Sequence, residues 1–557
     1  MSWQTAAQEI REALDSAIPE KWKLAPEHKD GLQDAMGVPE SCGLLTQDQL
    51  FVTGLDASRV VEGLASGKLS SAQVTDAFCA RAAIAHQLVN CLTVFFPEKA
   101  LERARELDEH LERTGKPVGP LHGLPIALKD TYDIPGYATT WGYAANASHR
   151  AERESATVTT LREAGAVLFC KTTMPQAGML LETVSNLFGR TLNPRDLDFG
   201  AGGSSGGDGV LVALRGSPVT PSTDIGGSIR APAAFNGLYG IRPTADRVPK
   251  RGMKSVESGQ LNIRVSCGPV AHSLADVKLL TRVLIDWPQT RYDPTCIPVT
   301  WREVSITDKK LSFGIWDFDG VVMPHPPICR AMRETTTRLR AAGHEVIEFK
   351  IPFDCWEASR VYMDTYYQCG KQDCLDLLNK AGEPIMPAYK KMLETWKVPD
   401  GPIDAKALLK ARLPSIIWTF IQAQSKYKEA LADAWEATTS QASTGRPIDG
   451  LICPASPMAG YPHDFLPWWG YTTLFNLVDY PSTILPIKNF KISETDDPID
   501  TAYNAQDNQF DRECQEVYDP VRWSNMPVCL QVVGRPFDDE ELIAVTEVVD
   551  QVVNNQG

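Results

Sequence analysis

A chain of 557 residues with 43% hydrophobic and 22% charged residues has ordinary globular composition and enough apolar sequence for a large core. Its net charge of −15 repels phosphate backbones and anionic lipid heads, so neither nucleic acid nor a membrane is an expected partner. Thirteen cysteines scattered without a CxxC pair fit neither a disulfide framework nor a zinc ribbon, and no leader segment or run of ~18 apolar residues is present, so a soluble, cytoplasmic protein is expected.

Residues 1–56 mix weak helical periodicity with turn formers and read as an N-terminal helical wrap around a body spanning 57–557. Ser70-x-x-Gln73 opens a capping-box helix over 70–87, with Val74, Phe78 and Ala85 at helical spacing. Pro97 starts a second helix carrying Leu101, Ala104, Leu107 and Leu111, which Gly115 and Pro117 end. Short apolar runs at 125–130 (PIALKD) and 166–171 (AVLFCK), the latter reached from a helix stopping at Gly165, predict buried strands of an α/β sheet. Between 200 and 240 glycine becomes dense enough for the backbone to approach something closely.

The stretch 300–450 reads as ordinary helical sequence. Strands return at 451–454, 483–487 and 527–533, followed by a helix from Asp538 that presents Leu542, Val545, Val549 and Val552 on one face. Residues 488–520, nine acidic against three basic, read as a long surface excursion. No linker interrupts the chain. One large α/β domain is expected, with a mixed twisted β-sheet covered by helices on both faces.

Conventional catalytic motifs fit poorly. Gly203 to Gly207 matches the GxSxG elbow with Ser205 as nucleophile, but the residues before it, 194–202, are polar and turn-like where an elbow needs an apolar strand. A partner for it would have to be a later histidine such as His344 or His463. Metal-ligand spacings and a Walker A loop are absent, and Ser425-x-x-Lys428 sits in a charged helical pattern without its companion motifs. What remains is a lysine at a strand end, Lys129, a serine pair flanked by glycines, Ser204 and Ser205, and Ser228 after two glycines.

These residues resemble the amidase signature family. GLPIALKD at 123–130 looks like its lysine motif, GGSSGGDG at 202–209 like its signature loop, and TDIGGSIRAPAAFNGLYGIRPT at 223–244 like its nucleophile segment. The intervals of 75 residues from Lys129 to Ser204 and 24 from Ser204 to Ser228 agree with the family's order. The resemblance runs from about residue 57 to the C-terminus. GRTLNPR, FDGVVMPHPP, GYTTLFNLVDYPS and VCLQVVGRP make it look closest to the eukaryotic, fungal-type acetamidases and general amidases of that family.

The resemblance implies the amidase signature fold and hydrolysis of the C–N bond of neutral amides, without metal or organic cofactor. Ser228 is then the nucleophile, Ser204 the bridging serine after a cis Gly203–Ser204 peptide, and Lys129 the base. Lysine can accept a proton only when neutral, which burial favours. Backbone N–H groups of Ile225, Gly226, Gly227 and Ser228 would form an oxyanion hole, Ser205 would hydrogen-bond the lysine head, and Asp224 with Arg230 would brace the loop. Tyr132, Trp141, Trp468, Trp469, Tyr471 and Phe475 are expected near the pocket mouth. Two positions depart from the family pattern, Asp208 for a common glutamate and Ser222 for a usual glycine. The partner is a small-molecule amide, and the reading leaves room for a homodimer. Competing readings keep the same core for acyl transfer, for lipid amides, for an aminoacyl-tRNA amidotransferase subunit or for a non-catalytic binding protein.

Overall fold

A computed structural model describes residues 2–253, 262–287, 293–306, 309–368, 370–399 and 415–554; Cys369 lies outside them. Two sheets organise this large α/β domain. A three-stranded sheet has the order Leu92–Phe95, Val167–Thr172, Pro125–Lys129, the last two strands parallel. An eight-stranded mixed sheet runs Glu345–Glu348, Ser312–Ile315, Gly450–Pro454, Cys529–Val533, Ser482–Pro486, Tyr239–Arg242, Ser266–Ala271, Val219–Asp224. Expected as one sheet, the β-structure is thus split in two, because side chains rather than a backbone ladder join the edge strands Pro125–Lys129 and Val219–Asp224. Ala127 N–H donates to Ser217 Oγ at 3.2 Å and Lys129 Nζ reaches Thr223 Oγ1 at 2.9 Å.

The predicted helices are present and their ends are explained by named groups. Ser71–Val89 starts at Ser70, whose Oγ accepts weakly from Gln73 N–H at 3.5 Å. Its first N–H groups go to Asp108 of the helix Pro97–Thr114, Ser71 at 2.6 Å and Ala72 at 3.0 Å, so a neighbouring carboxylate does most of the capping. Gly115 closes that second helix at φ 66°. In the last helix, Asp539–Asn554, Leu542, Val545 and Val549 are buried as expected, with Val553 in place of Val552.

Two segments carry more structure than expected. The polar run before the signature loop is a small hairpin, Leu192–Asn193 with Asp196–Gly200, outside both main sheets. The acidic stretch 488–520 is exposed at more than half of its residues and is anchored by the helix Gln509–Val517 and by buried Asp497, Phe510, Asp511 and Cys514. Its two buried carboxylates satisfy backbone and cationic groups, while most of the others face water. Asp511 accepts from the N–H groups of Met323 and Gln506, and Asp497 pairs with Arg330 at 2.8 Å.

Candidate active site

The site lies at the seam between the two sheets. Lys129 ends an apolar edge strand and is buried, so its ammonium loses hydration; burial drives its pKa down to about 8, against the opposing pull of Asp208 and Asp224. Its Nζ lies 2.8 Å from Ser204 Oγ, 2.9 Å from Thr223 Oγ1 and 3.5 Å from the Thr223 carbonyl. No carboxylate of the described residues comes within ion-pair distance of it. The Gly203–Ser204 peptide is cis.

Behind the lysine stands Asp208, fully buried at the start of the helix Gly206–Ala213. It accepts from Thr172 Oγ1 at 2.5 Å and Ser222 Oγ at 2.6 Å. Burial raises its carboxyl to about 6, with Lys129 and the two hydroxyls opposing. The two departures from the family pattern are therefore one hydrogen-bonded pair.

Ser228 follows the Val219–Asp224 strand and is 6% exposed. Its hydroxyl has no hydrogen-bond partner among the described residues. The backbone before it is held peptide by peptide. The Ile225 carbonyl accepts from Tyr362 OH at 2.9 Å, that of Gly226 from Thr472 Oγ1 at 2.8 Å, and that of Gly227 from Ala231 N–H at 2.7 Å. Gly227 sits at φ 130°, and a Cβ there would meet Thr472 Oγ1 at 2.5 Å, so the position excludes a side chain twice over.

Asp224 collects the alternate N–H groups, Gly227 at 2.9 Å and Ile229 at 3.1 Å. Of the four donors expected for an oxyanion hole, Gly227 is therefore committed elsewhere. Those of Ile225, Gly226 and Ser228 have no acceptor among the described residues. Burial alone would raise the Asp224 carboxyl, but Arg230, with bonds of 3.0 Å to both oxygens, and Asn476 hold it well below the carboxylate range. Arg230 also donates to Thr472 O, Asn476 Oδ1 and Gln531 Oε1, which makes the expected Asp224–Arg230 pair the centre of a buried network.

Other expected residues divide. Ser205, expected to hold the lysine head, instead donates to the Thr223 carbonyl at 3.4 Å, and Thr223 takes that task. Trp469 packs beside the loop 225–228, its Cε3 3.5 Å from where a Gly226 Cβ would stand. Trp141, half-buried, lies against Gly178 and bonds Thr131 Oγ1 at 3.0 Å. Tyr132 is buried with its hydroxyl 3.4 Å from Ser222 O. Trp468, Tyr471 and Phe475 are buried in the main core, the latter two on the fully buried helix Gly470–Val478. Trp468 stacks with Trp356 and Trp396 and donates to Asp319, while Tyr471 and Phe475 pack on Trp316. His463 faces Glu182 and Leu197 O, His344 accepts from Leu311 N–H, and Ser425 is exposed, so none supports a rival triad.

Thr223, Tyr362, Thr472, Asn476 and Gln531 were not singled out by sequence reasoning. Polar Thr472, Thr473 and Asn476 in an otherwise apolar helical run were the available signal for two of them.

The model of the family described as Amidase matches residues 73–543. The chain belongs to the amidase family. A Gibberella zeae protein named as an amidase is 50% identical over 99% of this chain and 100% of its own length. An Aspergillus oryzae acetamidase is 38% identical, covering 100% and 99%. Among solved structures, a fatty acid amide hydrolase superposes with a TM-score of 0.89 at 29% identity, over 99% of this chain and 95% of that one. This amidase is a hydrolase of amide bonds. No helix of its described residues is long and apolar enough to cross a membrane.

Proposed function

We propose that Ser228 attacks the amide carbonyl, with Ser204 as relay and Lys129 as base. The observation that carries this reading is a buried lysine, without a carboxylate partner, 2.8 Å from a serine hydroxyl. A neutral amine has two hydrogens and one lone pair. Thr223 offers two acceptors, its Oγ1 and its carbonyl, which leaves the lone pair for the Ser204 proton.

As Ser228 Oγ bonds the carbonyl carbon, its proton passes to Ser204 while the Ser204 proton passes to Lys129. The oxyanion is met by the N–H groups of Gly226 and Ser228, with Ile225 alongside. Collapse breaks the C–N bond, and the proton returns through Ser204 to the leaving nitrogen. Water then attacks the acyl-enzyme through the same base, releasing a carboxylate and restoring Ser228. The relay needs Ser228 within reach of Ser204, a contact of the kind that tightens on substrate binding.

Short, neutral aliphatic and aryl amides are the substrates this reading favours. Support comes from Trp141 and Trp469 beside the loops of the site and from relatives named as acetamidases. The twelve described cysteines, all free, support a reducing compartment, the cytoplasm. Labelling by a fluorophosphonate, located by mass spectrometry, tests the nucleophile: the label is expected on Ser228 and absent from Ser228→Ala, which has no turnover. Activity retained in Ser228→Ala would end the reading. A graded series of acetamide, hexanamide, benzamide and a long-chain fatty amide tests the pocket. A steady rise of kcat/KM to the longest chain would replace the short-amide assignment with a lipid-amide one, the substrate class in the name of the fatty acid amide hydrolase.

A further inference from the structure

We propose that Tyr362, on the helix Cys355–Tyr366, is a positioning residue of the oxyanion hole: by holding the Ile225 carbonyl it turns the Gly226 N–H toward the reacting carbonyl. The inference rests on Ser228 being the nucleophile and adds a residue from outside every motif in the sequence.

A trans peptide is planar and points its C=O and N–H in opposite directions, so fixing one fixes the other. The only cis bond among the described residues is Gly203–Ser204, so the peptides from Ile225 to Ser228 are all trans. Three consecutive carbonyls there are each taken by a different element. Ala231 N–H, in the first turn of the helix Arg230–Asn236, holds the Gly227 carbonyl and thereby aims the Ser228 N–H. Thr472 holds the Gly226 carbonyl, and the N–H of that peptide goes to Asp224. Tyr362 holds the Ile225 carbonyl at 2.9 Å, and the N–H of that peptide, Gly226, has no acceptor among the described residues.

Of the two donors flanking Gly227, one is thus set by the helix that follows the nucleophile. The other depends on a single phenol. Glycine at 226 has little intrinsic preference for one peptide orientation, so this external hold is what selects it. The fit is close: a Cβ at Gly226 would stand 2.6 Å from Tyr362 OH. Tyr362 itself is fully buried, and its ring stacks near Tyr366 with centroids 6.5 Å apart. Its hydroxyl is therefore delivered by a rigid helix and not by a mobile loop.

Tyr362→Phe removes one oxygen and keeps the ring. Deleting an oxyanion donor outright costs about 10²–10³ in kcat, and releasing its orientation is expected to cost about tenfold to a hundredfold. The readout is paired: kcat for acetamide, and affinity for a trifluoromethyl ketone whose carbonyl carbon bonds Ser228 Oγ and leaves its oxyanion in the hole. Both are expected to fall by the same factor, with KM and Tm holding. Unchanged kcat and ketone affinity, or a change confined to KM, would overturn the proposal. Gly226→Ala displaces the same hydroxyl from the opposite side and is expected to show the same paired loss, so a poorly folding Tyr362→Phe still leaves a decisive variant. Fluorophosphonate mapping of the wild type separates the two failures. A label on Ser228 beside a wild-type-like Tyr362→Phe enzyme breaks only the positioning role, whereas no label on Ser228 breaks the nucleophile assignment and this inference with it.

Discussion

Two lysines stand at the ends of neighbouring parallel strands, Lys129 on Pro125–Lys129 and Lys171 on Val167–Thr172, and both are buried. Lys171 faces Asp130 Oδ1 at 2.9 Å and donates to Ala138 O and Thr139 Oγ1. Among the described residues, Lys129 bonds only a serine and a threonine. Lys129 has no such carboxylate to offset its lost hydration, and desolvation favours its neutral amine. The same residue type at nearly the same place in the fold is thus ion-paired in one case and, on the proposed mechanism, the base in the other. The pair Lys171–Asp130 also fixes the loop carrying Trp141, because Asp130 takes both the N–H and the hydroxyl of Thr140.

The largest effect that could break this contrast is expected from Lys129→Met. Its kcat should fall by about 10²–10⁴ while Tm holds or rises, since an uncompensated buried amine is removed. Near-normal rates at neutral pH would end the base assignment. Lys171→Met should invert the balance: it strands Asp130, which costs about 3–5 kcal/mol of stability, read by denaturant unfolding, while kcat per folded enzyme falls far less than in Lys129→Met. If the two variants behaved alike, the carboxylate would not be what separates the lysines.

A smaller effect concerns pH. Lys129 acts when neutral and its pKa is lowered to about 8, so the rate should rise tenfold per unit below that value and level above it. Replacing His344 or His463 should leave that limb in place; a limb that vanished with either would move the base elsewhere. The smallest effect is expected of Ser205→Ala. Its 3.4 Å contact to the Thr223 carbonyl is long, and the loss should stay within about tenfold of wild type, a bond to a neutral acceptor contributing about 1 kcal/mol.

Much of the site was legible because its chemistry is local: strand-end lysine, serine pair and glycine-flanked serine each lie within a few residues of what makes them recognisable. The split sheet was not, since a missing ladder between 125–129 and 219–224 leaves no mark on either strand's hydrophobicity. The anchoring of 488–520 through Asp497 and Asp511 was hidden for a related reason, because an acidic residue that caps backbone groups or pairs with Arg330 looks, in sequence, like one in water. Tyr362 was hidden by distance, 137 residues from the carbonyl it holds. For Trp468, Tyr471 and Phe475 the aromatic run marked burial, which an apolar run reports whatever it packs against.

Arg230 has a consequence for the order of assembly. Its last partner, Gln531, lies 301 residues further along, on a strand that fills the interior of the eight-stranded sheet between Gly450–Pro454 and Ser482–Pro486. Because a chain emerges from the ribosome N-terminal end first, the nucleophile segment is made long before the strand that completes its brace. The growing polypeptide therefore carries Ser228 without a finished active site until its closing segment is released, and a message truncated upstream of Cys529 yields a protein with a gap through the middle of its sheet.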